Sequence, residues 1–341
     1  MSTGLLSGLG VTLPVLAAPM AGGPTTPALV TAASTAGSLG FLASGYLTAA
    51  RLEEQLVAVH DLSAYGVNLF APTPVPVDAD AYRSYRDLLR ADADRYGLDL
   101  PREPVEDDDH WRDKVDLLLA APPAIVSFTF AVPARDVVAA FRSAGSLVVQ
   151  GITSVPEARQ AADAGVDALA VQSSAAGGHW GTLAPTEPWR ETALADLLGE
   201  VAAAVDLPLL GAGGLGSAAD VAAALGAGAA AVMVGTALLL APEAGTSAVH
   251  RTALLAGDRP TAVTRAFTGR PARGLRNAFM DAHDDQAPSG YPALHHLTNP
   301  LRRAAAAAGD PESVNLWAGT AYRSAQARPA AETLQALAAD L

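Results

Sequence analysis

The chain contains no cysteine. Disulfides, thiolate metal ligands, iron–sulfur clusters and a cysteine nucleophile are therefore excluded, and any chemistry falls to other side chains or to a bound cofactor. Positive charge is also scarce, with 22 Lys and Arg against 35 Asp and Glu for a formal net charge of -13. Such a surface repels phosphate backbones and anionic lipid, which argues against a nucleic-acid or membrane partner and for a small molecule. Charged residues make up only 17% of the chain and hydrophobic ones 50%, enough apolar surface for a large core and too much for global disorder. Long hydrophobic runs are missing. In the opening MSTGLLSGLGVTLPVLAAPM, glycine and proline interrupt the apolar residues well before a membrane-spanning length, and the basic start of a secretory signal is absent. The expectation is a soluble, cytoplasmic protein, and the apolar fraction admits a homodimer as readily as a well-filled monomer.

What is present is a rhythm. Short apolar runs rich in β-branched residues recur, each followed by a turn and an Ala/Leu-rich segment of helical period, which is the signature of repeated βα units. Eight candidate strands stand at Val15–Ala18, Gly40–Ala43, Gly66–Phe70, Ala124–Phe128, Leu147–Gly151, Ala168–Gln172, Pro208–Gly211 and Ala230–Val234. Their unbroken apolar character suits strands buried on both faces, so the expected fold is an α/β (β/α)8 TIM barrel. Residues 1–72 and 120–264 form the barrel in this reading. An insertion at 73–119 after the third strand and a tail at 265–341 interrupt or follow the rhythm, and both are expected to cap the substrate side, because sites in this architecture lie at the C-terminal ends of the strands. The acidic run Glu106–Asp109 within the insertion reads as a solvated helix start.

The most informative segment is LPLLGAGGLGSAADVAAALGAGAAAVMVGTALL, residues 207–239. Gly213 and Gly214 follow the seventh strand, a helix begins near Ser217, and Gly235 and Thr236 follow the eighth. Glycine lets backbone N–H groups approach phosphate oxygens, and the loops after strands seven and eight are where barrels bind phosphate. A dinucleotide fingerprint is rejected for GAGGLG, since the acidic residue expected about 20 positions on is lacking.

A second segment, ALAVQSSAAGGHWGT, runs from the sixth strand into a loop. Gln172 ends the strand, Gly177 and Gly178 supply close-approaching backbone, and His179 sits on the rim with an imidazole able to move a proton near neutral pH. Asn68 ends the third strand and offers both donor and acceptor to a flat heteroaromatic ring, while Ser127 fits a loop-fixing hydrogen bond equally well. His295-His296 invites a metal reading, but adjacent residues face different ways and no third ligand is apparent, so no metal is assigned.

Together these strings resemble the nitronate monooxygenase family, particularly its class I members. LAAPMAGGPTTPALVTAASTAGSLGFLASGY, IVSFTFAVP, VQSSAAGGHWGT and GAGGLGSAADVAAALGAGAAAVMVGT follow the family's motif order, and AFTGRPARGLRNAFM and LWAGTAYRSA are similar to its tail. Ser173 and Gly151 depart from it. The resemblance implies an FMN-dependent monooxygenase that oxidises alkyl nitronates, such as propionate 3-nitronate, with O2 to a carbonyl compound and nitrite. It further implies His179 as catalytic base or holder of the nitro oxygens, and FMN contacts from Met20, Asn68, Gln172, Gly177, Gly214, Met233, Val234, Gly235 and Thr236. Related flavin barrels leave alternatives open: an NAD(P)H-dependent enoyl-thioester or quinone reductase, an oxidase of secondary metabolism, or a non-catalytic flavin binder.

Overall fold

A computed structural model describes Leu6, residues 8–73 and 75–339, and Leu341, so nearly all of the first seven residues of the opening segment lie outside the described residues. The strands in chain order are β1 (Val15–Ala17), β2 (Phe41–Ala43), β3 (Gly66–Phe70), β4 (Ile125–Thr129), β5 (Leu147–Ile152), β6 (Ala168–Gln172), β7 (Gly178–His179), β8 (Leu209–Ala212), β9 (Ala231–Val234), β10 (Thr261–Thr264) and β11 (Ala272–Leu275). Eight of them hydrogen-bond in the order β1-β9-β8-β6-β5-β4-β3-β2, all parallel. A parallel bridge between Ala17 and Gly40 joins the two ends. The sheet is a closed (β/α)8 barrel, and each expected strand is present to within one residue at either end.

Local chemistry sets the helices around it. The first four are α1 (Pro27–Thr35), α2 (Ala49–Val59), α3 (Ala79–Leu88) and α4 (Arg90–Arg95). Then come α5 (Trp111–Ala120), α6 (Arg135–Ser143), α7 (Val155–Ala164), α8 (Leu194–Ala204) and α9 (Ala218–Gly226). The last four are α10 (Ala248–Ala256), α11 (Ala278–His283), α12 (Ala293–Ala307) and α13 (Ala330–Leu337). Thr26, Thr48, Ser154 and Ser217 cap α1, α2, α7 and α9 by accepting a backbone N–H three residues on. No helix among the described residues is long and apolar enough to cross a membrane.

Strand parity then decides what faces the axis. Val15, Leu42, Val67, Val126, Val148, Leu169, Leu209, Val232 and Val234 pack outward against helices, while Leu16, Phe41, Ile125, Val149, Ala168, Leu210, Ala231 and Met233 fill the interior. One layer higher, the inward positions are small or polar: Ala18, Asn68, Ser127, Gly151, Ala170 and Ala212, and the barrel mouth is left open as a cavity.

The insertion and the tail pack against each other, and the tail supplies Thr268, His295, Arg302 and Trp317 to the cavity wall. Tyr82, Tyr85, Leu89 and Ala93 from α3 and the segment that follows it share an apolar cluster with Phe267, Phe279, Leu294, Leu297 and Leu301 of the tail. Two features depart from the sequence reading. The last residues assigned to the barrel belong to a second sheet, because β10 pairs antiparallel with β11 of the tail, which takes β7 as a third strand. The tail's end turns back to the barrel, since Ala330, Leu334 and Leu337 of α13 belong to the barrel's outer core.

The acidic run divides. Asp109, in a left-handed conformation at φ 56, is no solvated helix start: it pairs at 2.7 Å with Lys114, whose side chain is 1% exposed. The same carboxylate accepts the Tyr46 N–H at 2.8 Å, and Lys114 donates to the Ser44 carbonyl at 2.9 Å, so the insertion is bolted to the loop after β2. Lys114→Met leaves that carboxylate buried and unpaired and is expected to cost about 3–5 kcal/mol. In urea titrations the double variant Asp109→Asn/Lys114→Met should recover much of the loss; a single variant as stable as wild type would show the bolt to be idle.

Candidate active site

The cavity at the barrel mouth has a volume of about 540 Å³, inside the range of about 300–1,000 Å³ usual for ligand sites. Every residue singled out from the sequence as a contact or catalyst lines it: Met20, Asn68, Gln172, Gly177, Gly178, His179, Gly213, Gly214, Met233, Val234, Gly235 and Thr236. Their roles differ once geometry is considered. The Val234 side chain packs outward in the helix layer, so only its backbone can touch a ligand. Asn68 spends its amide hydrogens on Ser127 and Thr129, both at 3.0 Å, which leaves Oδ1 without a donor among the described residues. Gln172 spends both ends on the loop it begins, donating to the His179 carbonyl at 3.1 Å and accepting the Gly181 N–H at 2.7 Å.

The glycine turns have reasons of their own. Gly213 and Gly214 stand at φ 105 and 78, a succession that L-residues avoid. Neither their amides nor that of Gly235 finds an acceptor among the described residues, which is the donor set an anion needs. A Cβ on Gly177 would come within 2.4 Å of the Gly319 nitrogen, so this position holds the tail segment at the rim.

His179 is placed by β7, where it pairs with Ala272 of β11. Phe130, Tyr291 and Trp317 surround its ring at centroid distances of 5.7, 5.8 and 5.7 Å. Its Nε2 lies 2.9 Å from Thr268 Oγ1, and that hydroxyl also faces the Arg270 carbonyl at 3.3 Å. A carbonyl only accepts, so in the tautomer where the Thr268 proton goes to Arg270, His179 donates from Nε2. Nδ1 then keeps the lone pair. Burial, reinforced by the Arg270 and Arg302 guanidiniums, pushes this imidazole down to about 3, so it is a neutral proton acceptor at physiological pH.

Several participants were not identified from sequence. Arg270 is fully buried, 4.0 Å from the Phe130 ring centre, and bonds the Thr182 carbonyl. Arg302 lines the cavity from α12. Burial lowers both to about 10, which still leaves them charged, and among the described residues neither has a carboxylate within 4.0 Å. Unpaired buried cations make a strongly positive site that favours an anionic ligand. Tyr46, at φ 69, and Phe130, at φ 83, mark strained backbone at the same rim. The one advance signal lay in α12, where His295 and Arg302 are spaced seven apart on the face that also carries Leu294 and Leu301.

With this geometry established, the whole sequence can be set against known proteins. It matches the nitronate monooxygenase family over residues 4–340. The chain belongs to that family. A probable nitronate monooxygenase of Staphylococcus saprophyticus is 32% identical over 334 residues, covering 96% of this chain and 94% of the relative. Its counterpart in Bacillus subtilis is 33% identical over 320 residues, covering 92% and 91%. The solved nitroalkane oxidase from Streptomyces ansochromogenes superposes with a TM-score of 0.91 at 40% identity, covering 99% of this chain and 97% of that one. Membership of the nitronate monooxygenase family makes the chain an enzyme, with the expected barrel as its scaffold.

Proposed function

We propose that this enzyme binds FMN and oxidises alkyl nitronates, with propionate 3-nitronate as a representative substrate, using O2 as the electron acceptor and yielding a carbonyl compound and nitrite. The observation that carries the reading is the pairing, in one cavity, of a neutral histidine with the buried Arg302 guanidinium, joined by the buried Arg270 guanidinium against the Phe130 ring of the cavity wall, neither cation having a carboxylate within 4.0 Å among the described residues. An anion is the complement of that pairing.

The residues fit the cofactor. Gly213, Gly214, Gly235 and Thr236 supply free amides and a hydroxyl for a phosphate, and Met20, Asn68, Gln172, Gly177, Gly178 and Met233 line the remaining walls. When bound, FMN supplies the two-electron redox centre that side chains lack. The chain's own residues do the rest. His179 Nδ1 accepts the proton exchanged between the nitro and nitronate forms of the substrate, and Thr268 fixes the tautomer that lets it do so. Phe130, Tyr291 and Trp317 exclude water from the carbon being oxidised. The insertion 73–119 and the tail serve as the substrate-side cap.

Adding propionate 3-nitronate to the purified enzyme without O2 should bleach the bound flavin, and admitting O2 should restore it with release of nitrite. Bleaching by NADH or NADPH with indifference to the nitronate would transfer the protein to the reductases, and failure to bind FMN after reconstitution would end the reading.

A further inference from the structure

Besides His179, the cavity is lined by His250 and His295, and His295 is the one held by Arg302. His295 stands on the inward face of α12, two turns before Arg302, and its side chain lines the cavity. Its ring is stacked on Tyr46 at 4.2 Å and 1°, which fixes the imidazole plane. Tyr46 is itself held by the Asp109 carboxylate through its backbone N–H. Arg302 Nη2 lies 3.2 Å from His295 Nδ1 and also donates to the His295 carbonyl at 2.9 Å. The guanidinium cannot drift, because Nε donates to Thr298 at 3.1 Å and Nη1 to Asn315 at 3.2 Å.

Arginine only donates. His295 Nδ1 must therefore present its lone pair to Arg302, and the single proton of a neutral imidazole sits on Nε2. Burial, with Arg302, His296 and His179 nearby, opposes a second proton. Nε2 has no acceptor among the described residues. Beside His250, the cavity thus holds two neutral histidines, His179 and His295, and His295 carries its free N–H on Nε2.

We propose that His295 is a substrate-binding residue whose Nε2–H donates a hydrogen bond to an oxygen of the nitro or nitronate group, with Arg302 selecting the tautomer that makes it a donor. The inference rests on the nitronate reading of the cavity. It divides the work: His179 accepts a proton, and His295 holds the oxygen on which negative charge resides. A neutral donor backed by a guanidinium suits an oxyanion, because it strengthens as charge builds and does not quench the anion by giving up its proton.

The test uses the FMN-loaded enzyme and ethyl nitronate. His295→Phe keeps a flat ring against Tyr46 and removes the N–H; it is expected to raise KM by about 10- to 100-fold, the loss of one hydrogen bond to a charged acceptor, with a smaller change in kcat. His295→Gln, which restores an N–H, should recover part of the loss. Independently of folding in the variants, 15N-histidine NMR of the wild type should show the signal that disappears in His295→Gln with Nδ1 unprotonated and Nε2 protonated. An active wild type matched by His295→Phe, or a His295 protonated on Nδ1, overturns the role alone. A wild type inert to nitronates overturns the proposed function and this role together.

Discussion

With His179 replaced by alanine, kcat falls by about 10²–10⁴-fold while the flavin spectrum of the purified enzyme is retained, the range expected for loss of a positioned proton acceptor. The reasoning is geometric. In the tautomer where Thr268 accepts the Nε2 proton, Nδ1 is a lone pair inside a box of Phe130, Tyr291 and Trp317. The deficit should be larger for a neutral nitroalkane than for the preformed nitronate, because only the former still carries the proton that His179 takes. Oxygen-uptake assays with nitroethane and ethyl nitronate measure both. Equal losses would remove the base role, and activity kept within about tenfold of wild type would remove His179 from the chemistry. Because the imidazole is held down to about 3, kcat/KM should not fall through protonation of this group between pH 8 and 5.

Stability should behave differently over the same window. Burial holds His179 down to about 3, His250 down to about 4, and His295 well below the usual histidine range. Unfolded, each titrates near about 6.5. Below that value the unfolded chain takes up protons that the folded chain refuses, so stability is full above about pH 6.5 and declines as pH falls, by up to about 1.4 kcal/mol per pH unit for each histidine. Melting temperatures should therefore drop steeply between pH 7 and 5, before most carboxylates titrate. His250→Phe, which removes one titrating ring while filling its space, should flatten the slope by about a third. A melting temperature level across that window, or a slope unchanged in the variant, would contradict the account.

The barrel was legible because its strands are buried on both faces: runs such as IVSFTF and LVVQGI have no solvent face to disguise them. The rim was legible where function sits at strand ends, as with Asn68, Gln172, His179 and the Gly213-Gly214 turn. Tyr46, Arg302 and Trp317 were not, since they reach the cavity through tertiary packing that no local period encodes, nor was Arg270, buried against the Phe130 ring. Strand β7 is two residues long and contains glycine, too short for alternation to register. Asp109 was misread because a buried ion pair and an acidic helix start look alike until Lys114 is seen to be enclosed. His295-His296 was read correctly as facing two ways: His295 lines the cavity, whereas His296 meets Asp107 at 2.6 Å.

Tyr82 and Tyr85 come from the insertion, and Phe267, Phe279 and Leu297 from the tail, yet they bury one another in a single cluster. Neither stretch is thus a transferable module. Loops on a barrel can ordinarily be exchanged singly, each answerable only to its own strand and helix. Here a change in the girth of Tyr85 is met at once by residues some two hundred positions away, so inheritance must carry matched alterations in both stretches. Graft experiments that move substrate preference between relatives should accordingly transplant the two together.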